Sequence, residues 1–181
     1  MSVLGIIALV TGTCGVWLTI KQSIWCWPFA LTAVVTSIVE FYTVRLYGDM
    51  AFQIFYFFAG VYGWVHWRMK QGESFSVKVM DSKLIPLLLG ITILQAVLYY
   101  YFLLYFKGDR PVLDAILTAC RLTTTYMMTK KWVENWFLWI FIDGSYVVLY
   151  MVKDMWLFAL LNVLFTVIAF YGWLKWRKQA L

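Results

Sequence analysis

Charge is scarce in this chain of 181 residues: Asp, Glu, Lys and Arg make up 13% of it, against about 25% in a soluble globular domain. That shortage excludes a soluble enzyme and a nucleic-acid binder. Histidine occurs once, at His66, and cysteine three times, at Cys14, Cys26 and Cys120, with no CxxC spacing. So few cysteines exclude a secreted disulfide scaffold. All three sit in or beside apolar runs, where cysteine acts as a small packing residue rather than a metal ligand. Also missing are the paired acids with His, the Ser–His pair and the Cys/His ligand sets that membrane-embedded hydrolases and transferases need. No catalytic residue, metal or cofactor is therefore expected. The first apolar run has neither a basic leader nor an A-x-A site, so it is expected to be a membrane span and not a cleaved signal.

What is there in abundance is apolar. Hydrophobic residues make up 64% of the chain and aromatic residues 20%, with a mean hydropathy of +0.78. An all-α integral membrane protein follows. A helix needs about 20 apolar residues to cross the hydrocarbon layer. On that rule the runs predict seven spans: Val3–Ile20, Ile24–Val44, Met50–Trp67, Leu84–Phe106, Val112–Thr129, Trp132–Val152 and Met155–Trp176. The one loop of any size, Arg68–Lys83, is short and polar, and no soluble domain fits.

The net charge of +6 is placed unevenly. With the N-terminus outside, Lys21, Arg68, Lys70, Lys78, Lys83, Lys130, Lys131, Lys175, Arg177 and Lys178 fall on the cytoplasmic side. Only Arg45, Lys107, Arg110 and Lys153 then fall outside, and Arg121 lies within a span. The excess of basic residues in cytoplasmic segments predicts N-terminus out and C-terminus in.

The ends of the third and seventh runs are alike. Tyr62-Gly63-Trp64 with Trp67-Arg68 is matched by Tyr171-Gly172-Trp173 with Trp176-Arg177, an offset of 109 residues. Without a gap the same offset pairs Val3 with Val112, Lys21 with Lys130, Trp27 with Trp136 and Gln53 with Asn162. Apolar matches are common in membrane sequences; Trp, Lys and amide matches in one register are not. The reading is a 3+1+3 plan: residues 1–67 as a first three-helix repeat, 68–111 as cytoplasmic loop and linker helix, and 112–181 as a second repeat. Four crossings separate the repeats, so they run parallel, as in SWEET-type sugar transporters. Such repeats place a substrate site at their interface.

Several strings resemble the Pnu family of bacterial vitamin transporters, whose archetype PnuC carries nicotinamide riboside. They are Ile24-Trp25-Cys26-Trp27-Pro28-Phe29, Leu46-Tyr47-Gly48-Asp49-Met50, Gln53 followed by Tyr62-Gly63-Trp64, and Val133-Glu134-Asn135-Trp136 with Trp139. The resemblance covers nearly the whole chain. It implies a homotrimer in the bacterial cytoplasmic (inner) membrane and downhill uptake of an unphosphorylated vitamin that a cytoplasmic kinase then traps. Nicotinamide-riboside members tend to carry Asn where this chain has Ala33 and Asp143. Typical members are apolar at Glu40 and small or polar at Arg121. The acidic replacements and short chain resemble the thiamine-carrying branch, PnuT, so thiamine is the expected substrate and nicotinamide riboside the alternative.

A charged side chain at the bilayer centre costs about 2.5–3.5 kcal/mol on insertion scales, so Glu40, Asp114, Arg121 and Asp143 are expected to face the bundle interior. Trp136, Trp139, Asp143, Tyr146 and Tyr150 fall on one stripe of the sixth run, at steps of three or four. Aromatic faces with one carboxylate suit an organic cation, although an aromatic stripe also serves helix packing. Asp143 has two open roles, holding substrate or pairing with Arg121. Asp114, Thr118, Arg121 and Thr125 read as a polar seam, and Glu40 with Thr36 and Thr32 as another. Expected substrate contacts are Glu40, Gln53, Trp136, Trp139, Asp143, Tyr146 and Asn162. Trp64 and Trp173 are read as interfacial anchors or a gate. The rival classes are a membrane-embedded enzyme, an uncoupled helical scaffold and a neutral-sugar carrier.

Overall fold

The computed structural model describes residues 3–43, 45, 47–70, 75–106, 111–152 and 154–180. Val44 and Leu46, and the basic residues Lys107, Arg110 and Lys153, lie outside them. The described chain is all-α: α1 (Val3–Ile20), α2 (Cys26–Thr43), α3 (Tyr47–Met69), α4 (Ile85–Tyr105), α5 (Pro111–Thr129), α6 (Asn135–Val152) and α7 (Trp156–Ala180). Each falls on one of the apolar runs. Five of the helical stretches, all but α3 and α5, are long and apolar enough to cross a membrane. The other two have the length, with 23 and 19 residues. Polar residues dilute them, notably Asp114, Arg121 and the threonines of α5. Outward-facing Phe55, Leu98 and Leu160 are exposed, as lipid-facing side chains are.

The helices fall into two compact units, Met1–Phe75 and Ser76–Leu181. In the first, α2 packs against both α1 and α3; in the second, α6 packs against both α5 and α7, and α4 packs on α5. The linker helix therefore belongs with the second unit.

Local geometry recurs at the offset of 109 seen in the sequence. Gln22 ends α1 in the left-handed region, φ 55°, and Lys131 ends α5 the same way, φ 54°. Around Gln22 the N–H of Ser23 donates to Leu18 O at 3.0 Å and that of Gln22 to Thr19 O at 2.9 Å; around Lys131 the N–H of Trp132 donates to Met127 O at 3.2 Å and that of Lys131 to Met128 O at 3.0 Å. These paired bonds satisfy the orphan carbonyls at a helix end. Arg45 (φ 60°) and Asp154 (φ 55°) form a second pair at the same offset. None of the four is glycine. Lys21 stands 5.5 Å over the Trp17 ring, and its counterpart Lys130 stands 5.6 Å over Tyr126.

Packing recurs as well. The buried Trp27 ring meets Trp67 edge-on at 5.5 Å and 88°, and the buried Trp136 meets Trp176 at 5.3 Å and 87°. Each ring lies against a glycine. A Cβ on Gly63 would come within 2.1 Å of the Trp27 ring, and one on Gly172 within 2.8 Å of the Trp136 ring.

Entry into α6 departs from the expected span start at Trp132. Trp132, Val133 and Glu134 instead form a turn that pairs with the segment after Phe75. Lys78 N–H donates to Lys131 O and Val133 N–H to Lys78 O, both at 3.1 Å. Met80 N–H then donates to the Glu134 carboxylate, 3.0 Å from Oε2 and 3.2 Å from Oε1. Val77 is buried beside this strap. Asp81 Oδ1 accepts from Lys83 N–H at 2.9 Å, and Pro86 in the first turn of α4 starts that helix where a missing N–H costs nothing.

Two outcomes are expected. Gly63→Ala and Gly172→Ala should each destabilise the detergent-solubilised protein by about 1–3 kcal/mol, because neither buried indole has room to retreat. Thermal unfolding followed by tryptophan fluorescence reads this, and unchanged midpoints would show that the rings move freely. Separately, Glu134→Ala should release the strap. Limited proteolysis should then cut within residues 75–81 several times faster than in wild type, whereas equal rates would mean the two backbone bonds suffice.

Candidate functional site

In the second unit α5 and α6 bring a basic and an aromatic side chain together within the spans. Arg121 projects from α5 toward α6, where its guanidinium carbon stands 4.5 Å over the centre of the Tyr146 ring. Asp143 is half-buried on the same helix, one helical turn before Tyr146. Tyr146 continues into an aromatic row: it stacks on Tyr150 at 5.8 Å and 26°, and Tyr150 meets Phe158 of α7 at 5.5 Å. Three groups are thus gathered by two helices: a fixed cation, a carboxylate and an aromatic face. An aromatic face beside a carboxylate attracts an organic cation by about 0.5–2 kcal/mol per ring contact.

The other expected contacts have other surroundings. Trp139 is half-buried, one turn before Asp143. Trp136, on the same stripe, is 2% exposed. Its ring is held between Gly172 and Trp176, so it serves the α6–α7 contact. Asn162 donates its amide to Phe158 O one turn back, at 2.8 Å. Glu40 and Gln53 belong to the first unit and are half-buried. Trp173 sits against Phe137 at 5.2 Å and Phe170 at 5.6 Å, with Arg177 over its ring at 5.3 Å. Trp64 is half-buried.

The two threonine seams resolve differently from their sequence reading. Thr32 and Thr36 donate to Pro28 O and Thr32 O, each at 2.9 Å, and Thr125 donates to Arg121 O, also at 2.9 Å. Hydroxyls bonded to the preceding turn satisfy themselves within the helix. Thr123 is the exception. Its hydroxyl lies 2.7 Å from that of Thr92 and donates to Gln95 Oε1 at 3.3 Å, which joins α4 to α5. Thr92, Gln95 and Thr123 are not among the residues singled out in the sequence, and Glu134 stands there only within a family string, without a role as strap acceptor. A polar pair at helical spacing in α4, Thr92 and Gln95, was the available signal. Among the described residues no group of three His, Cys, Asp or Glu is arranged to hold a metal ion, and the three cysteines are free.

Comparison with known proteins adds what geometry leaves open. The chain is 24% identical over 180 residues to the nicotinamide riboside transporter PnuC of Escherichia coli, covering 84% of this chain and 75% of that protein. It is 24% identical over 188 residues to the nicotinamide riboside transporter PnuC of Neisseria mucosa, covering 95% and 71%. A crystal structure of the vitamin B3 transporter PnuC shares the fold, with a TM-score of 0.78 over 97% of this chain and 80% of that one, at 24% identity. The model of the family described as nicotinamide mononucleotide transporter matches residues 2–178. Matched across almost its whole length, the chain belongs to this family, the Pnu transporters: it is a multi-pass membrane transporter and not an enzyme.

Proposed function

We propose that this transporter carries nicotinamide riboside into the cell by facilitated diffusion, with a cytoplasmic kinase trapping the product. The observation that carries the reading is the likeness, over 84% of the chain, to a protein named as a nicotinamide riboside transporter. This reverses the order expected from the acidic replacements at Glu40 and Asp143. Both vitamins are permanent aromatic cations, so a carboxylate beside aromatic rings serves either, and the acids do not discriminate between them. Thiamine is the comparison ligand.

In this reading Trp139, Asp143, Tyr146 and Asn162 are the substrate contacts of the second unit, with Trp136 as the packing residue beneath them. Glu40 and Gln53 are the proposed contacts of the first unit, and Trp64 and Trp173 mark the proposed gate. The proposed plan is a parallel 3+1+3 repeat in the bacterial inner membrane, N-terminus out, assembled as a homotrimer. The recurrent turns, tryptophan–glycine contacts and Lys–aromatic pairs at the offset of 109 support the repeat.

Titration of the purified protein with both vitamins tests the substrate. Nicotinamide riboside should bind more tightly than thiamine, and the opposite order would restore thiamine. Trp139→Ala should weaken binding about 5–30-fold, the equivalent of about 1–2 kcal/mol. Asp143→Asn should weaken nicotinamide riboside more than its dihydro form, which has nearly the same shape and no ring charge; equal weakening would make Asp143 structural. In proteoliposomes held at zero potential, an uncoupler should leave initial uptake nearly unchanged. Strict dependence on a proton or sodium gradient would sink the uniport mechanism.

A further inference from the structure

The two units place different side chains where their first two repeated helices meet. At the offset of 109, Arg121, Asp143 and Tyr146 of the second unit correspond to Gly12, Val34 and Ser37 of the first. The α1–α2 contact forms without any charge there: a Cβ on Gly12 would sit at ordinary distance, 3.7 Å, from that of Ala33. The α5–α6 contact is much the sparser of the two, and close packing there does not call for an arginine. Yet α5 carries one eleven residues into its nineteen, at a depth where an uncompensated charge is costly.

The position of that arginine is informative. Its guanidinium lies over the face of Tyr146 at 4.5 Å, and Asp143 stands one helical turn before that ring. Face and carboxylate are the two elements that an aromatic cation would use. A planar, delocalised guanidinium imitates such a cation better than an ammonium does, because it stacks as well as attracts. The cation-binding face is thus already taken by a group of the protein itself.

We propose that Arg121 is a specificity-determining residue, a tethered cation that covers the Tyr146 face beside Asp143 in the unloaded protein and is displaced when a cationic ring binds. The inference rests on the proposed carriage of a cationic vitamin. It merges the two roles open to Asp143: the carboxylate faces Arg121 when the site is empty and the substrate ring when it is filled. The buried acid is never left without a positive partner. Selectivity follows from the exchange. A neutral ligand cannot replace the guanidinium's attraction to ring and carboxylate, whereas a cationic ring can.

Titration of wild type and variants with nicotinamide riboside and its neutral dihydro form tests this. In Arg121→Gln the competitor is gone. The cationic ligand should bind roughly 2- to 30-fold more tightly, the range of one cation–π contact, and the neutral form should change little. Equal weakening of both ligands, or no change for the cation, would overturn the proposal. Should Arg121→Gln fail to fold, Arg121→Lys keeps the charge and loses the planar stack. A smaller gain for the cation supports the proposal there, and an unchanged or weaker affinity overturns it. 1-Methylnicotinamide, a pyridinium cation that carries the charged ring without the ribose, separates this inference from the vitamin reading. If wild type binds neither vitamin, the vitamin reading fails. A gain for 1-methylnicotinamide in Arg121→Gln, measured by ligand-observed NMR, still upholds the tethered cation, and no gain removes it.

Discussion

An indole ring laid flat on a glycine holds the second and third helices of each three-helix set together. In hydrocarbon the lipid tails are as apolar as leucine, so helices gain little from burying apolar surface against one another and depend on close fit. Gly63 and Gly172 supply the hollow, Trp27 and Trp136 fill it, and Trp67 and Trp176 close it edge-on. The rings sit next to the first residues of α2 and α6, which fixes where those helices begin. The turns that precede them end α1 and α5 with residues in the left-handed region. For a non-glycine residue that conformation is uncommon and persists only where the surrounding structure demands it. Its demand here is a reversal of direction in only a few residues.

The existence of the helices was legible because seven apolar runs leave few other solutions in a bilayer, where backbone polar groups must be satisfied internally. Trp, Lys and YGW matches at one offset pointed to where turns and tryptophan–glycine contacts recur. The start of α6 was not. Trp132 and Val133 look like span residues, but their backbone groups are used by the segment around Lys78, a long-range pairing with no local signal. The left-handed Lys131 carries no glycine or asparagine to announce it. Trp136 shares a stripe with Trp139 and Asp143, and its contact with Gly172, 36 residues later on another helix, has no local signal. Threonines read as a polar seam proved mostly self-satisfied, since periodicity shows which face a hydroxyl lies on and not which carbonyl it bonds.

The substrate lay further out of reach. A carboxylate in a span signals a cation and does not say which one. Glu40 and Asp143 suit thiamine and nicotinamide riboside alike, because each ligand offers a charged aromatic ring. Choosing between them takes shape and hydrogen bonding around the rest of the molecule, and one sequence does not supply that.

The difference between the two units follows from the same economy. Where the first has Gly12 and Val34, the second has Arg121 and Asp143, and α5 packs on α6 less extensively than α1 on α2. A charge at the bilayer centre costs about 2.5–3.5 kcal/mol on insertion scales unless it is compensated. A carboxylate meant for a cationic ligand faces that penalty whenever the ligand is absent. In the proposed exchange an arginine on the neighbouring helix reduces it, stacked on Tyr146 until a competing cation arrives. The charge that steadies the unloaded protein would then be the one a cationic substrate displaces, so on that proposal stability and selectivity share one side chain.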